Sequence, residues 1–358
     1  MKAVMLVLTD ACNLSCRYCY ENKGSNRMSL TEAKEILDSE IKNSTDQSIR
    51  VFFFGGEPFL LFETMSQIYD YLAETYQGYD ISYAITTNGT LVHGEIQSWL
   101  QEHADSFQIT LSMDGTRQMH NRNRLYADGR GSFDQIDIDF FRRTFPDCVV
   151  KMTIGPDTIQ DFAEGIIYIE NQGFICKANF ASGVDFDLEK NRAVILQNLM
   201  RLVDYYSGND RPLCYMLDLH LESILRPLDE KLRYCSAGTK RHCYYAGDGS
   251  WYPCQGLMPM AVGHREFAGE MFQDSCIRND SPCRTCRWVR ICHTCYAMNY
   301  SATGDVYKPD PQICYMNRLC MITSARIQYN RAGSSGKKSA NLKRAVYLLA
   351  KELNGLFV

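Results

Sequence analysis

Short apolar runs alternate with segments of helical periodicity over the first 207 residues, which is the pattern of βα units. The predicted strands cover residues 3–8, 50–54, 81–86, 107–112, 149–154 and 174–181. The predicted helices lie near residues 30–42, 61–75, 91–101, 132–145, 159–171 and 188–206, and the first follows a capping box formed by Ser29 and Glu32. Six units are too few to close an eight-unit barrel. We therefore expect an α/β fold with a partial (β/α)6 TIM-like barrel, whose chemistry lies where strands end.

The regular pattern ends after residue 207, and three further regions follow. Residues 208–230 are predicted to be a junction, and residues 231–332 are dense in Cys, Gly, Tyr and Pro. A region of this composition needs metal cross-links because it has too few aliphatic residues for a core. Residues 333–358 combine a flexible linker with an amphipathic helix, which is a docked helix, a partner-binding arm or an appended segment.

Composition limits the compartment and the partners. The net charge is −4 and the sequence pI is about 6.0, which does not favour a nucleic acid partner. The N-terminal apolar run is too short for a signal peptide, and no run approaches a membrane span. The chain has 16 cysteines, nine of them between Cys235 and Cys314. We expect a cytoplasmic protein whose thiols bind metal, because disulfides are rare in a reducing compartment.

Three cysteines follow the first predicted strand with C-x3-C-x2-C spacing: Cys12, Cys16 and Cys19. Three thiolates on one short loop can hold three corners of a cubane cluster and leave the fourth iron open. An open iron can chelate the amino and carboxylate groups of a methionine moiety. A zinc loop is the alternative, but zinc usually needs a fourth ligand and paired C-x2-C spacings.

The stretch TDACNLSCRYCYE, together with GGEP, TTNG and S-x-D-G at the ends of successive predicted strands, resembles the radical SAM superfamily. The resemblance implies that S-adenosyl-L-methionine (SAM) is cleaved to a 5'-deoxyadenosyl radical at a [4Fe-4S] cluster. The two glycines of GGEP would let the backbone approach a ligand, and its carboxylate would help to hold an ammonium group. The implied cofactor-binding residues are Tyr18, Gly55, Gly56, Glu57, Asn88, Ser112, Asp114 and Arg124.

The Cys-rich region is similar to the SPASM domain, which implies two auxiliary [4Fe-4S] clusters and three clusters in total. The first auxiliary set would be Cys235, Cys243, Cys254 and Cys295, and the second Cys283, Cys286, Cys292 and Cys314. The step from Cys292 to Cys295 is one residue shorter than in the family. If Cys243 does not bind, the first auxiliary cluster has an open iron that could capture a substrate thiolate. Two zinc knuckles are the alternative, and the remaining cysteines are predicted to be buried small hydrophobes.

The resemblance implies an enzyme that modifies peptides or proteins. We expect a thioether or carbon–carbon cross-link in a ribosomally made Cys-containing peptide, with a flavodoxin or ferredoxin as reductant. Sulfatase-maturing relatives have an Asp where this chain has Gln255, which cannot take a proton at neutral pH, so formylglycine formation is the alternative. Gln255 and Lys151 are the candidate catalytic residues. A small-metabolite substrate and a non-catalytic zinc or iron–sulfur binding protein remain open.

Overall fold

The computed structural model describes residues 2–45, 47–228, 232–239, 241–262, 267, 272, 276–334 and 339–353. The chain forms two compact units, and each contains several separate segments. The first unit comprises residues 1–113, 120–151 and 236–275, and the second comprises residues 114–119, 152–235 and 276–358. Residues 236–275 belong with the first strands in this division, and the domain ranges given from the sequence stay a prediction.

Eight strands are described, and the first six lie within two residues of their predicted positions. The strands are β1 (Lys2–Thr9), β2 (Ser48–Gly55), β3 (Asp80–Thr87), β4 (Phe107–Ser112), β5 (Val149–Ile154), β6 (Ile175–Phe180), β7 (Arg241–Tyr245) and β8 (Ser250–Tyr252). The α/β prediction is confirmed. The two last strands were not predicted, because they lie in the Cys-rich region, where each is short.

The helices follow the predicted pattern less closely. They are α1 (Leu30–Lys42), α2 (Phe62–Thr75), α3 (Glu95–Glu102), α4 (Arg117–Asn123), α5 (Ile138–Thr144), α6 (Phe162–Asn171), α7 (Leu188–Ser207), α8 (Pro259–Val262), α9 (Tyr296–Thr303), α10 (Pro311–Ser334) and α11 (Ala340–Leu353). The helix predicted over residues 132–145 is shorter, because Asp137 caps α5 by accepting the Phe140 N–H at 3.0 Å. The sequence pattern also missed α4, α8, α9 and α10. Within the described residues, no helix is both long and apolar enough to cross a bilayer.

The first unit is built on a sheet with the order β5-β4-β3-β2-β1-β7-β8. All pairs from β5 to β7 are parallel, and β7 and β8 form an antiparallel hairpin. β1 is therefore a central strand, with β2 on one side and β7 on the other. Because β7 pairs with β1, residues that follow the junction in sequence return to the start of the fold.

The two faces of this sheet are packed differently. On one face, apolar side chains of β1 and β2 pack against the buried stripes of α1 and α2; Phe53 stacks on Tyr83 with ring centroids 5.9 Å apart. On the opposite face, Met5, Cys243 and Met258 belong to a buried cluster that also includes Met260 and the partly buried Phe52 and Phe54. This second face is rich in sulfur and aromatic side chains, and it lies at the strands that lead into the cysteine loop.

The second unit contains β6, the end of β5 and most of the long helices. The Ala181 N–H donates to the Ile154 carbonyl at 2.9 Å, which ties the two strand ends together. A buried apolar cluster joins α10 and α11 to the Leu221–Leu225 turn and to the cysteine-bearing loop. The predicted C-terminal amphipathic segment is thus a docked helix, with Ala345, Leu349 and Leu353 buried.

Candidate active site

The loop that carries Cys12, Cys16 and Cys19 begins where β1 ends. Asp10 closes this loop: one carboxylate oxygen accepts the Asn26 backbone N–H at 2.8 Å, and the other accepts the Asn26 amide at 2.6 Å. The Tyr245 hydroxyl donates to the same carboxylate at 3.2 Å. The cysteines therefore lie on a loop whose two ends are fixed to each other.

The three thiols lie close enough to influence one another. Burial raises the pKa of Cys12 to about 12, and the neighbouring Cys16 adds to the effect. The Leu14 N–H donates to the Cys12 sulfur at 3.4 Å, and the Cys19 N–H donates to the Cys16 carbonyl at 3.1 Å. Such thiols lose their protons when a metal binds, so metal binding and proton release are coupled here.

The two glycines of GGEP are required by close backbone contact. A Cβ at Gly55 would lie 2.1 Å from the Thr9 carbonyl oxygen, and its φ of 143° also excludes most side chains. A Cβ at Gly56 would lie 2.3 Å from the Ala11 carbonyl oxygen. The glycines thus let this turn pack against the start of the cysteine loop, which is a different reason from the ligand approach that the sequence suggested.

The carboxylate of Glu57 is buried and bonded within the protein. It accepts the Thr87 hydroxyl at 2.8 Å, the Asn88 backbone N–H at 2.8 Å and the Phe59 N–H at 3.2 Å. Burial raises the pKa of Glu57 to about 7, although these donors favour the charged form. Glu57 therefore links the GGEP turn to the TTNG turn.

The side chain of Asn88 connects the TTNG turn to the cysteine loop. Its amide donates to the Asn13 side-chain oxygen at 2.9 Å and lies 3.9 Å from the Cys12 sulfur. Its oxygen accepts the Thr90 hydroxyl at 2.6 Å, and Asn13 also donates to that hydroxyl at 2.8 Å. Asn88 is thus fixed beside the first cysteine.

Arg124 lies over the ring of Tyr18, with its guanidinium carbon 5.5 Å from the ring centroid. The segment around Arg124 is held by the buried His120, whose ring nitrogen is 2.9 Å from the Ser132 hydroxyl. That hydroxyl donates to the Arg124 carbonyl at 2.8 Å. In addition, the Ser15 N–H donates to the Leu125 carbonyl at 2.5 Å, so this segment contacts the cysteine loop directly.

Ser112 ends β4, and its register partner on β5 is Lys151. Burial raises the pKa of Glu21 to about 7, and the positive charge of Lys151 partly offsets this rise. The cysteine loop and the candidate Lys151 therefore lie close together in the first unit. Gln255, the other candidate, lies near the sulfur-rich face, with its side-chain oxygen 4.0 Å from the Cys243 sulfur.

Asp114 belongs to the second unit and is fully buried there. Its carboxylate accepts the Thr153 N–H at 2.9 Å, so it stabilises the strand that follows.

Four predicted metal ligands surround one cavity in the second unit. The cavity is lined by Cys283, Cys286, Cys292 and Cys314, together with Trp288 and Arg318. Burial raises the pKa of Cys292 to about 12, and the other three thiols each raise it further. The Asn317 amide donates to the Cys292 sulfur at 3.5 Å. The sequence therefore predicted which four cysteines meet here.

The other predicted set is divided between the two units. In the second unit, burial raises the pKa of Tyr215, and the Cys295 and Cys235 thiols raise it further. Those two cysteines thus lie near one side chain. In the first unit, Cys243 is fully buried on β7, with its sulfur 3.5 Å from that of Met5. Cys254 precedes Gln255 at the start of a 3₁₀ turn.

Several supporting residues were missed by sequence reasoning. Asp10 closes the cysteine loop, His120 supports the Arg124 segment, and Glu21 is a half-buried carboxyl two residues after the third cysteine. Asp10 and Glu21 flank the three cysteines in the sequence, and this position was the signal that could have identified them. Nothing in the local sequence marks His120 as buried.

The family profile of the Radical SAM superfamily matches residues 6–168. A relative from Methanocaldococcus jannaschii, uncharacterized protein MJ0907, is 35% identical over 133 residues, which cover 37% of this chain and 45% of that protein. The cysteine-type anaerobic sulfatase-maturating enzyme of Clostridium novyi is 25% identical over 336 residues, or 82% of this chain and 88% of that enzyme. The radical SAM cyclopropyl synthase TigE of Paramaledivibacter caminithermalis is 21% identical over 358 residues, or 89% of this chain and 73% of that enzyme.

A solved structure of native anSMEcpe with bound AdoMet and Cp18Cys peptide has the same fold. The TM-score is 0.69 at 19% identity, covering 98% of this chain and 99% of that one. The match confirms the predicted partial barrel with a Cys-rich C-terminal region. Residues 6–168 are therefore similar to the radical SAM superfamily of enzymes.

Proposed function

We propose that this enzyme modifies a peptide or protein and forms a thioether or carbon–carbon cross-link at a Cys-containing substrate. The observation that carries the proposal is the fixed loop of three neighbouring thiols, which contacts Asn88 and the Arg124 segment. Relatives whose names include sulfatase maturation and cyclopropyl synthesis, and a neighbour with a bound peptide, support a peptide substrate. We also propose a cytoplasmic location and a flavodoxin or ferredoxin as reductant.

The donor sets fit the cofactors that this function needs. Cys12, Cys16 and Cys19 would hold a [4Fe-4S] cluster, and the four thiols around the cavity would hold another. Among the described residues, no three His, Cys, Asp or Glu side chains are placed to hold a single metal ion. Four thiols that line one cavity are the ligand number of a closed [4Fe-4S] site.

The remaining auxiliary set, Cys235, Cys243, Cys254 and Cys295, is proposed from the family pattern. The neighbourhood of Cys235 and Cys295 at Tyr215 supports one half of it. The apolar surroundings of Cys243 and its contact with Met5 support the version in which Cys243 does not bind. In that case the cluster has an open iron that a substrate thiolate could reach.

When bound, SAM and a cluster on Cys12, Cys16 and Cys19 would supply a carbon radical able to take a hydrogen atom, and further clusters would supply an acceptor for one electron. The chain's own residues orient these groups. Glu57 and Asn88 hold two turns against the cysteine loop, and Arg124 offers a fork of donors to a carboxylate. When a thioether cross-link forms, the peptide carbon loses a hydrogen atom, and the sulfur loses a proton and an electron.

Formylglycine formation is the second candidate, because this chain aligns with 88% of the length of the sulfatase-maturating relative. Gln255 argues for the cross-link, since an amide does not accept a proton at neutral pH. The test is mass spectrometry of Cys-containing peptides after incubation with the reconstituted enzyme, SAM and dithionite. Loss of two hydrogens together with loss of thiol reactivity would support the cross-link. An aldehyde that reacts with a hydrazine would support formylglycine and contradict the first proposal.

A further inference from the structure

Positive charge is concentrated at the end of the chain. Residues 276–358 contain 13 Lys and Arg against 4 Asp and Glu, a net charge of +9, although the whole chain carries −4. The four cysteines of the cavity belong to the same segment. A field of one sign on one part of a protein attracts partners of the opposite charge, so this segment is the place to look for one.

Helix α11 presents part of this charge to solvent. Lys343, Arg344 and Lys351 are exposed on it, while the opposite side of the helix is buried. In the part of the chain that the structure describes, no carboxylate forms an ion pair with these three side chains. Their charges are therefore available to a partner.

The carboxylates that contact this helix do not cancel its charge. Glu352, on α11 itself, pairs with Arg287, so these two charges offset each other. Glu222 keeps its negative charge, since it only accepts the Ser339 hydroxyl at 2.6 Å next to the start of α11. Three positive charges on α11 against this one carboxylate leave the surface basic.

The basic helix lies close to the four-cysteine cavity. Trp288 lines that cavity, and the same side chain belongs to the buried cluster that holds Ala345, Leu349 and Leu353 of α11. Cys286 and Cys292 pack against this cluster too. The buried side of α11 and two of the cavity cysteines therefore pack against the same apolar cluster, so the helix lies next to the cavity.

We propose that an acidic one-electron carrier of the flavodoxin or ferredoxin class docks on the basic face of α11, defined by Lys343, Arg344 and Lys351, and exchanges electrons with a cluster in the adjacent cavity. The inference rests on the proposed function, which needs clusters that pass electrons. Carriers of this class are acidic, so the charges are complementary. In the docked complex one electron passes between the carrier's cofactor and the cluster. One of the two is oxidised, the other is reduced, and no bond forms or breaks.

Other polyanions fit the charge but not the position. A membrane-binding helix inserts its apolar side, and here that side is buried in the protein. An RNA would be attracted by the charge alone and would have no reason to lie beside a redox site. The location over the cysteines favours the electron carrier.

The test compares two variants with equal charge change, both as reconstituted full-length holoenzymes. One carries Lys343→Glu, Arg344→Glu and Lys351→Glu; the control carries Lys42→Glu, Arg143→Glu and Lys190→Glu, which lie elsewhere. Isothermal titration calorimetry with a purified bacterial flavodoxin and a [4Fe-4S] ferredoxin gives Kd at low and high salt. We expect the α11 variant alone to bind about tenfold more weakly at low salt, with the difference largely lost at about 0.5 M salt.

A second readout separates this inference from the function itself. With dithionite, both variants should form 5'-deoxyadenosine at the wild-type rate, whereas with the carrier only the α11 variant should be slower. Three outcomes would overturn the docking proposal: equal weakening of carrier binding in both variants, no carrier binding by the wild type, or binding of anionic vesicles that only the α11 variant loses. No 5'-deoxyadenosine from the wild type with dithionite would instead contradict the proposed function, while the Kd values would still stand.

Discussion

The cysteine loop after β1 is fixed by polar groups, whereas the four-cysteine cavity of the second unit is surrounded by apolar packing. Asp10, Glu57 and Asn88 hold the loop through hydrogen bonds to backbone and side-chain groups. Around the cavity, Trp288 and the buried side of α11 supply the support instead. Loss of one support should therefore act differently in the two regions.

The difference fits what the proposed function would require of each region. A loop that binds SAM must leave one side open, so it can be fixed only from the other side, by directional bonds. A cluster with four protein ligands can be closed on all sides, and apolar burial then excludes water from it. We therefore expect the second site to depend on the C-terminal helix, although that helix contributes no cysteine.

The largest effect is expected at a ligand of the cavity. Cys292→Ala should lower the iron content by about four per chain, because one [4Fe-4S] cluster is lost. Cys320→Ala is the matched control, since Cys320 is a buried cysteine of the same unit outside both ligand sets. Iron analysis of anaerobically reconstituted protein measures both. Equal iron in the two variants would remove Cys292 from the ligand set.

Next in size is the apolar support of the cavity. Leu349→Ala, at a fully buried position of α11, should cost about 2–5 kcal/mol of unfolding free energy and make the cavity cluster more sensitive to oxygen. Tyr347→Ala, 64% exposed on the same helix, should change stability by less than about 0.5 kcal/mol. Denaturant titration and the rate of iron loss in air measure these effects. Similar results for the two variants would mean that α11 does not protect the site.

A smaller loss is expected from the polar support of the first loop. In Glu57→Gln, the amide nitrogen is itself a donor and would face an N–H or O–H donor. We therefore expect the free energy of unfolding to fall by about 1–3 kcal/mol and SAM binding to weaken. Glu95→Gln, at the exposed start of α3, is the control. Thermal unfolding and SAM titration measure the two consequences. A Glu57 variant with wild-type stability and SAM affinity would show that the linked turns are dispensable.

The smallest effect concerns pH. Burial holds the pKa of His120 well below its usual 6.5, so below pH 6.5 the unfolded chain binds a proton that the folded chain does not. Stability should therefore fall as the pH drops below 6.5, by at most about 1.4 kcal/mol per pH unit from this group. His120→Gln should flatten the unfolding free energy between pH 6.5 and 5.5 relative to wild type. An unchanged pH slope would contradict this.

The sequence predicted which cysteines come together better than it predicted the residues that support them. The spacings of Cys12, Cys16 and Cys19, and of the cysteines around the cavity, identified thiols that the structure brings together. Short, nearly continuous apolar runs located six strands, because parallel strands are buried on both faces. The short β7 was missed because three to five residues give no clear period, and its pairing with β1 is a long-range contact. The role of Glu57 was also missed, since a motif does not tell whether a carboxylate faces a ligand or the protein.

The central claim is that three thiols after β1 create a site for SAM and an open iron. The most direct measurement is 5'-deoxyadenosine formation by anaerobically reconstituted protein with SAM and dithionite, compared with Cys12→Ala and with Cys148→Ala as the buried-cysteine control. The account predicts product from the wild type and from Cys148→Ala, and none above background from Cys12→Ala. Product at the same rate from all three proteins, or from none of them, would contradict it.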